Sequence, residues 1–168
     1  MINATERFES TAMLCHEMVR MSDGVRLATD IYFPPTWRAE PGQCFPVVLE
    51  RTPYGKNVPS RSERSHVESE PLSRLEVARC FTLQGYVVVY QDCRGRYESE
   101  GEFVKYLNDA QDGYDTCAWI VAQPWSNGRI GMKGLSYAAH TQMAAASLGA
   151  PGLKAMVVDS GGFSNAFH

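Results

Sequence analysis

Apolar and polar residues alternate where the regular part of the chain begins. Two strand-like runs, His16–Met21 and Val25–Phe33, flank the turn signal Ser22-Asp23-Gly24. The apolar residues of the second run share one face at period two. This pattern predicts an antiparallel hairpin with one solvated face.

Buried strands and amphipathic helices alternate after the hairpin. Short continuous apolar runs predict strands, and apolar residues spaced for one face predict helices. The predicted strands are Phe45–Glu50, Tyr86–Gln91, Arg129–Met132 and Leu153–Val158, and the predicted helices are Ser73–Leu83, Ala110–Val121 and Tyr137–Ser147. This order predicts a mostly parallel sheet with helices on both faces and the antiparallel amino-terminal hairpin at its edge.

Two long polar segments interrupt this pattern, each directly after a predicted strand. Residues 52–72 contain prolines, serines and many charges, and residues 92–103 alternate acidic and basic side chains. Loops of this length in a compact domain are usually functional or mobile. The alternating charges of the second loop favour a local ion-pair network over a substrate site.

Composition narrows the class of protein. The 168 residues suffice for one domain, and 44% hydrophobic with 21% charged residues excludes a disordered tail, a collagen-like chain and a coiled coil. A net charge of −3 gives no electrostatic reason to expect nucleic acid or an anionic membrane as a partner. No apolar run approaches the roughly 20 residues of a membrane helix. The five cysteines include no C-x-x-C pair and indicate reduced thiols, so we expect a cytoplasmic protein.

Gly134-Leu135-Ser136-Tyr137-Ala138 lies between a predicted strand and a predicted helix, which is the setting of a nucleophile elbow. The small residues Gly134 and Ala138 allow the helix start to pack against the strand, although the usual pattern has glycine at the second place. The Tyr137 N–H would point at the oxygen that becomes negative in acyl transfer. The alternative interpretation is that Ser136 is an ordinary helix N-cap.

The loop Thr52-Pro53-Tyr54-Gly55-Lys56 follows the predicted strand Phe45–Glu50. Sites in open α/β sheets form on loops after the carboxyl ends of strands, and α/β-hydrolases place a second oxyanion donor on a loop at this position. Tyr54 offers a hydroxyl for that role. Taken by itself, the loop favours the alternative interpretation, a surface tyrosine hydrogen-bonded to solvent. No metal-ligand set, P-loop or dinucleotide fingerprint occurs.

Five segments together resemble the amino-terminal part of the cocaine-esterase/X-Pro dipeptidyl-peptidase family of serine hydrolases, often called CocE/NonD. The matching segments are MSDGVRLATDIYFP, RTPYGK, GYVVVYQDCRGRYESEG, DGYDTCAWIVAQPWSNGRIGMKG and GLSYAAHTQ. They follow the family's order and cover about His16–Asn165.

This resemblance implies an α/β-hydrolase fold and a hydrolase that cleaves an ester or amide through an acyl-enzyme. It implies that Ser136 is the nucleophile, and that the Tyr54 hydroxyl and the Tyr137 N–H donate to the oxyanion. No cofactor or metal is implied, and the partner is a small-molecule ester or a peptide. The family often has glycine where this chain has Ala139, a difference that concerns packing behind the elbow. Esterase and dipeptidyl-peptidase activity both remain open.

The triad acid and histidine of the family follow the serine far downstream. After Ser136 the chain has Asp159, His140 and His168. His140 lies on the helix and is expected to point away from the serine hydroxyl, and the family's acid comes later than Asp159. We therefore expect the acid and the base beyond residue 168.

Members of the family also carry a helical cap and a carboxyl-terminal jelly-roll domain. We expect residues 1–168 to be the amino-terminal part of the catalytic domain without these two, truncated after the strand that follows the nucleophile helix. The alternative is a catalytically incomplete fragment or a non-catalytic α/β module.

Overall fold

Six strands form one sheet in the computed structural model, which describes residues 13–38, 42–60 and 70–161. The strands are β1 (Met13–Arg20), β2 (Arg26–Phe33), β3 (Phe45–Thr52), β4 (Val87–Asp92), β5 (Ser126–Leu135) and β6 (Leu153–Asp159). The helices are α1 (Arg74–Thr82), α2 (Asp109–Val121) and α3 (Tyr137–Ser147), and a short 3-10 helix covers Pro35–Arg38.

The strand order across the sheet is β1-β2-β4-β3-β5-β6. β1 pairs antiparallel with β2, and β2 pairs antiparallel with β4. From β4 onwards every pair is parallel, and β3 lies between β4 and β5, with Val47 opposite both Val87 and Ile130. A mostly parallel sheet with an antiparallel hairpin at its edge is the predicted arrangement, and the structure confirms it.

Helices cover both faces of the sheet, as predicted. One core cluster joins the strands to α2 and α3 and includes Leu49, Val89, Cys117, Ile120, Met132 and Ala145. A second cluster joins the opposite face to α1 and comprises Tyr32, Val48, Ala78, Val88 and Tyr90. Successive strand residues point to opposite faces, which is why the uninterrupted run of valines in β4 fills both clusters.

The prediction of a solvated face on the hairpin is wrong for β2. Residues Leu27–Phe33 are all buried, because β2 pairs with β4 as well as β1 and therefore lies inside the sheet. On its second face the Asp30 carboxylate contacts the Lys56 ammonium at 3.1 Å, and the Tyr32 ring packs edge-on against Tyr90. Polar residues that suggested a wet surface are thus buried with partners.

The start of α1 follows from its sequence. Ser73 accepts a hydrogen bond from the Glu76 N–H, and the Glu76 carboxylate accepts one from the Ser73 N–H, which makes a capping box. Strand β5 is longer than the predicted Arg129–Met132, because it pairs with β3 along one side and β6 along the other.

Among the described residues, no helix has the length and apolar character that crossing a membrane would require. All five cysteines are free thiols, and Cys93 and Cys117 are buried among core side chains.

Candidate active site

Ser136 occupies a sharp turn between the end of β5 and the start of α3. Its backbone has φ 59° and ψ −115°, a conformation with positive φ that residues other than glycine rarely adopt. Gly134, two residues earlier, allows this turn, because a Cβ atom there would lie 2.6 Å from the Cβ of Ala138. The Ser136 side chain makes no capping hydrogen bond to α3. The ordinary N-cap interpretation is therefore not what the structure shows.

The Tyr54 hydroxyl faces the same serine. It donates a hydrogen bond to the Ser136 Oγ atom at a distance of 3.3 Å. The Tyr54 residue is 49% exposed, so its ring reaches the serine across an open surface. Its own N–H donates to the Thr52 Oγ1 atom at 3.1 Å, which folds the loop back on the end of β3. The two sites that the sequence singled out separately thus lie together.

A buried ion-pair network fixes the loop that carries Tyr54. Lys56 is only 2% exposed, and its Nζ atom lies 2.7 Å from Glu98 and 3.1 Å from Asp30. Its backbone N–H donates to the Asp92 carboxylate at 2.7 Å. Burial by itself would lower the pKa of Lys56, but the hydrogen bonds to Glu98 and Asp30 outweigh burial and raise it. The lysine is therefore held as a cation beneath the loop.

Tyr137 contributes both its backbone and its side chain. As the first residue of α3, it has an N–H that precedes the hydrogen-bonding pattern of the helix and is available to a ligand. Its buried hydroxyl donates to the Asp109 carboxylate at 2.6 Å and accepts from the Tyr106 N–H at 2.9 Å. Burial, together with the hydrogen bond to Asp109, raises the pKa of the Tyr137 phenol. The side chain thus ties the elbow to the start of α2.

Arg51 is a fully buried charge beneath this part of the site. Its Nε atom donates to the Gln91 amide oxygen at 2.8 Å, and another nitrogen of its guanidinium donates to the Asp109 carbonyl at 2.9 Å. Sequence reasoning missed Arg51, Asp109 and Lys56 as supports of the site. The one local signal was a charged residue at the end of an apolar strand run, because the partners lie far away in the sequence.

The loop of residues 92–103 forms the ion-pair network that its charges predicted. Arg94 contacts both Asp112 and Asp23 at 2.6 Å, and Arg26 pairs with Glu100. The same loop also forms part of the candidate site, which the sequence did not predict. Arg96 and Phe103 from this segment line a cavity that contains Ser136.

Two cavities meet at Ser136 and Tyr54. The first has a volume of about 350 Å³ and is lined by Pro53, Tyr54, Arg96, Phe103, Lys105, Tyr106, Ser136, Tyr137, His140 and Ser160. The second has a volume of about 440 Å³ and is lined by Glu50, Tyr54, Val58, Pro59, Ser60, Arg74, Leu135, Ser136 and Ala138. A reacting group held between the serine and the tyrosine would therefore have room on both sides.

The remaining candidates for the acid and the base of a catalytic triad are His140, Asp159 and His168. His140 lines the first cavity, but its Nε2 atom lies 3.9 Å from the Asp109 carboxylate. Its backbone N–H donates to the Ser136 carbonyl at 3.1 Å, and within the described residues no hydrogen bond joins its imidazole ring to the Ser136 hydroxyl. Burial lowers the pKa of His140. The Asp159 carbonyl accepts the Ser136 N–H at 2.9 Å, whereas its carboxylate accepts from the Ser160 hydroxyl. His168 lies outside the described residues.

Comparison with known proteins identifies relatives of the chain. The sequence profile of the family described as X-Pro dipeptidyl-peptidase (S15 family) matches residues 23–168. Cocaine esterase from Rhodococcus sp. (strain MB1 Bresler) is 44% identical over 140 residues, which are 83% of this chain and 22% of that protein. The chain thus spans about a fifth of the length of this curated relative.

Solved structures show the same arrangement of elements. A CocE/NonD family hydrolase from Staphylococcus aureus has a TM-score of 0.72 and 30% identity, over 89% of this chain and 31% of that one. An alpha-amino acid ester hydrolase has a TM-score of 0.70 and 32% identity, over 92% of this chain and 26% of that one. These likenesses confirm the predicted α/β-hydrolase fold.

Proposed function

Because the chain belongs to the X-Pro dipeptidyl-peptidase (S15) family, we propose that it takes part in hydrolysing an ester or amide through an acyl-enzyme on Ser136. The observation that carries the proposal is the hydrogen bond of 3.3 Å between the Tyr54 hydroxyl and the Ser136 Oγ atom. A nucleophile and an oxyanion donor must both lie about 3 Å from one reacting carbonyl. Tyr54 and Ser136 are close enough to meet that requirement.

In the proposed first step, the Ser136 Oγ atom attacks the carbonyl carbon and gives its proton to a general base. The carbonyl electron pair moves to the oxygen, which becomes negative. The Tyr54 hydroxyl and the Tyr137 N–H donate to that oxygen. When the intermediate collapses, the bond to the leaving alcohol or amine breaks, and the leaving group takes the proton from the base.

In the second step a water molecule attacks the acyl carbon and gives a proton to the base. The bond between that carbon and the Ser136 Oγ atom then breaks, the Oγ atom takes the proton from the base, and the acid product leaves. The elbow also favours the negative intermediate, because the amino-terminal end of α3 carries a partial positive charge. Each oxyanion donor of this kind is worth about 10²–10³ in kcat.

We place the general base outside the described residues. Within them, His140 is the histidine nearest to the elbow in sequence. Its ring packs edge-on against the stacked rings of Tyr106 and Tyr137, with its Nε2 atom towards Asp109. A base must reach the serine hydroxyl directly or through one water. A histidine that follows the described region, as in the expected order of serine, acid and histidine, fills this role.

We assign ester hydrolysis ahead of peptide cleavage. The relative with 44% identity is named an esterase, and a structural neighbour at 32% identity is named an ester hydrolase. Cleavage of X-Pro peptides is the second candidate, and the description of the matching family favours it. Rates on a matched ester and X-Pro amide with the same acyl group would distinguish the two.

A fluorophosphonate probe tests the proposal in the intact protein. The probe should add one phosphonyl group, and peptide mass spectrometry should place it on Ser136. Ser136→Ala should lose both labelling and ester turnover. Ser147→Ala is the matched control, because Ser147 ends the same helix and its hydroxyl donates only to the Ala144 carbonyl.

Two results would contradict the proposal. Equal labelling of the Ser136→Ala variant would show that another residue reacts with the probe. A folded intact protein that takes up no probe and hydrolyses no ester would be a non-catalytic α/β module.

A further inference from the structure

The first cavity beside Ser136 carries an uncompensated positive charge, and we call it the cationic pocket. It is defined by Arg96, Phe103, Lys105, Tyr106, Tyr137 and His140, together with Tyr54 and Ser136 at its mouth. Four of these residues carry a phenyl or phenol ring, two carry a full positive charge, and none carries a carboxylate. Charges that line a cavity next to a nucleophile act directly on any ligand that binds there.

Arg96 is fixed in position and still has N–H groups that can donate hydrogen bonds to a ligand. Its Nε atom donates to the Pro53 carbonyl at 3.0 Å, and its guanidinium carbon lies 5.2 Å from the centre of the Phe103 ring. Among the residues described, its two terminal nitrogens have no hydrogen-bond partner. A planar guanidinium with two free nitrogens matches the two oxygens of a carboxylate.

Lys105 adds the second charge. Its Nζ atom lies 4.7 Å from the centre of the Tyr106 ring, and no carboxylate of the described region lies within ion-pair distance of it. Lys56, Arg51 and Arg94, by contrast, all contact carboxylates.

Among the described residues that line the pocket, no acidic group balances these charges. Asp109 lies behind the wall, 5% exposed, and its carboxylate accepts the Tyr137 hydroxyl. His140 remains neutral near pH 7, because burial lowers its pKa. The pocket therefore presents two cations to a ligand and no anion.

The second cavity beside Ser136 has no comparable imbalance. Its charged residues are Glu50 and Arg74, which contact each other at 2.8 Å. Glu50 also lies 3.4 Å from Lys133. The sign of a ligand's charge is therefore recognised on the side of Arg96 and Lys105.

We propose that the cationic pocket binds a carboxylate carried by the substrate, so that the enzyme prefers esters with an anionic group near the scissile bond. This inference rests on the proposed function, because it assigns one side of the Ser136 site to part of the substrate. The aromatic walls receive the apolar segment between the ester and the carboxylate, and Arg96 and Lys105 receive the carboxylate itself.

The kinetic experiment compares esters that differ only in charge. For the acyl side, mono(4-nitrophenyl) adipate and suberate are measured against their methyl-blocked diesters. For the leaving-group side, 3-acetoxybenzoate is measured against its methyl ester. We expect kcat/KM of the intact protein to be about tenfold higher for the anion in one of the two arms, the gain of two charge-assisted contacts at a partly exposed site. The arm that shows the preference identifies the half of the substrate in the pocket.

The decisive variant is Lys105→Gln, because the Lys105 ammonium makes no hydrogen bond or ion pair among the described residues and contacts only the Tyr106 ring there. Arg96, by contrast, also donates to the Pro53 carbonyl of the Tyr54 loop. The anion-to-neutral ratio should fall about threefold in Lys105→Gln and further in Lys105→Glu. It should also fall as salt rises from 0.05 to 0.5 M, on the order of the change that screening gives for exposed charges. Lys154→Gln is the matched control, since Lys154 is exposed near the opposite end of β6.

A binding measurement separates this inference from the proposed function. In the Ser136→Ala background, dissociation constants of monomethyl adipate and dimethyl adipate can be measured by NMR without turnover. Tighter binding of the anion that weakens about threefold in Lys105→Gln would support the pocket even if no ester is hydrolysed. Ser136-dependent turnover with equal rates and equal binding for both members of every pair would overturn the pocket and leave the proposed function standing.

Discussion

The Tyr54 hydroxyl lies 3.3 Å from the Ser136 Oγ atom, although 82 residues separate them in the chain. Each residue follows the carboxyl end of a strand, Tyr54 after β3 and Ser136 after β5. These two strands are parallel neighbours in the sheet, so their ends open on the same edge. The distance exceeds the usual 2.7–2.8 Å of a hydroxyl pair, so the hydrogen bond is a long one. The Tyr54 hydroxyl can exchange it for a hydrogen bond to a substrate oxygen.

Tyr54→Phe should lower kcat for ester hydrolysis by about 10²–10³, the cost of one oxyanion donor. The melting temperature should stay close to that of the wild type, because the change removes a hydroxyl from a half-exposed ring and no core volume. Rates at saturating ester and thermal unfolding of the same samples provide the measurement. A kcat equal to that of the wild type would make Tyr54 an ordinary surface tyrosine.

Tyr137→Phe should destabilise the protein, because the Asp109 carboxylate and the Tyr106 N–H both lose their partner. Leaving buried polar groups unpaired costs about 1–3 kcal/mol in the free energy of unfolding. Urea unfolding measures the loss. The control is Tyr86→Phe, whose hydroxyl has no hydrogen bond within the described residues, and it should be nearly neutral. Equal stability of the two variants would show that the bond to Asp109 contributes nothing.

Gly161→Ala should be destabilising through a single neighbour, Ala139. A Cβ atom at residue 161 would lie 2.3 Å from the Ala139 Cβ atom, and overpacking of this kind typically costs about 1–3 kcal/mol. Ala139→Gly removes the obstacle, so Gly161→Ala introduced into that background should cost much less. Ala139→Gly alone is the reference, because glycine inside a helix itself costs about 1 kcal/mol. Strictly additive effects in this double-mutant cycle would rule out the clash.

His140 should make stability fall in mild acid. Burial and the nearby Lys105 ammonium lower the pKa of His140, and they outweigh the opposite effect of Asp109. The rings of Tyr106 and Tyr137 pack against it. The unfolded chain therefore binds this proton at a higher pH than the folded protein does, and folding stability decreases as pH drops below about 6.5.

The His140→Asn variant isolates this effect. Every other titrating group is retained, so the difference between the two curves of unfolding free energy against pH belongs to His140. We expect the variant to be flatter than the wild type between pH 6.5 and 5. Parallel curves across that window would show that the histidine titrates as it does in the unfolded chain.

Local rules made the elements and the elbow predictable. The Ser73 and Glu76 pair marks the start of α1 because a capping box is closed by residues three apart. Gly134 and Ala138 mark the elbow for a similar reason, since the contact that demands small residues spans a single turn of chain. The predicted solvated face of the hairpin was wrong for β2, because the burial of Asp30 depends on Lys56, a residue from a distant loop.

The sequence by itself determined which residues form strands and helices, where the serine turn lies, and to which family the motifs belong. The tertiary structure alone decided that Tyr54 reaches Ser136, that Tyr137 is anchored on Asp109, and that Arg96 and Lys105 share a cavity with the nucleophile. The reason is physical. Caps, turns and periodicity act over a few residues, whereas these pairings depend on strand order, and strand order is settled by how the whole chain buries its apolar faces.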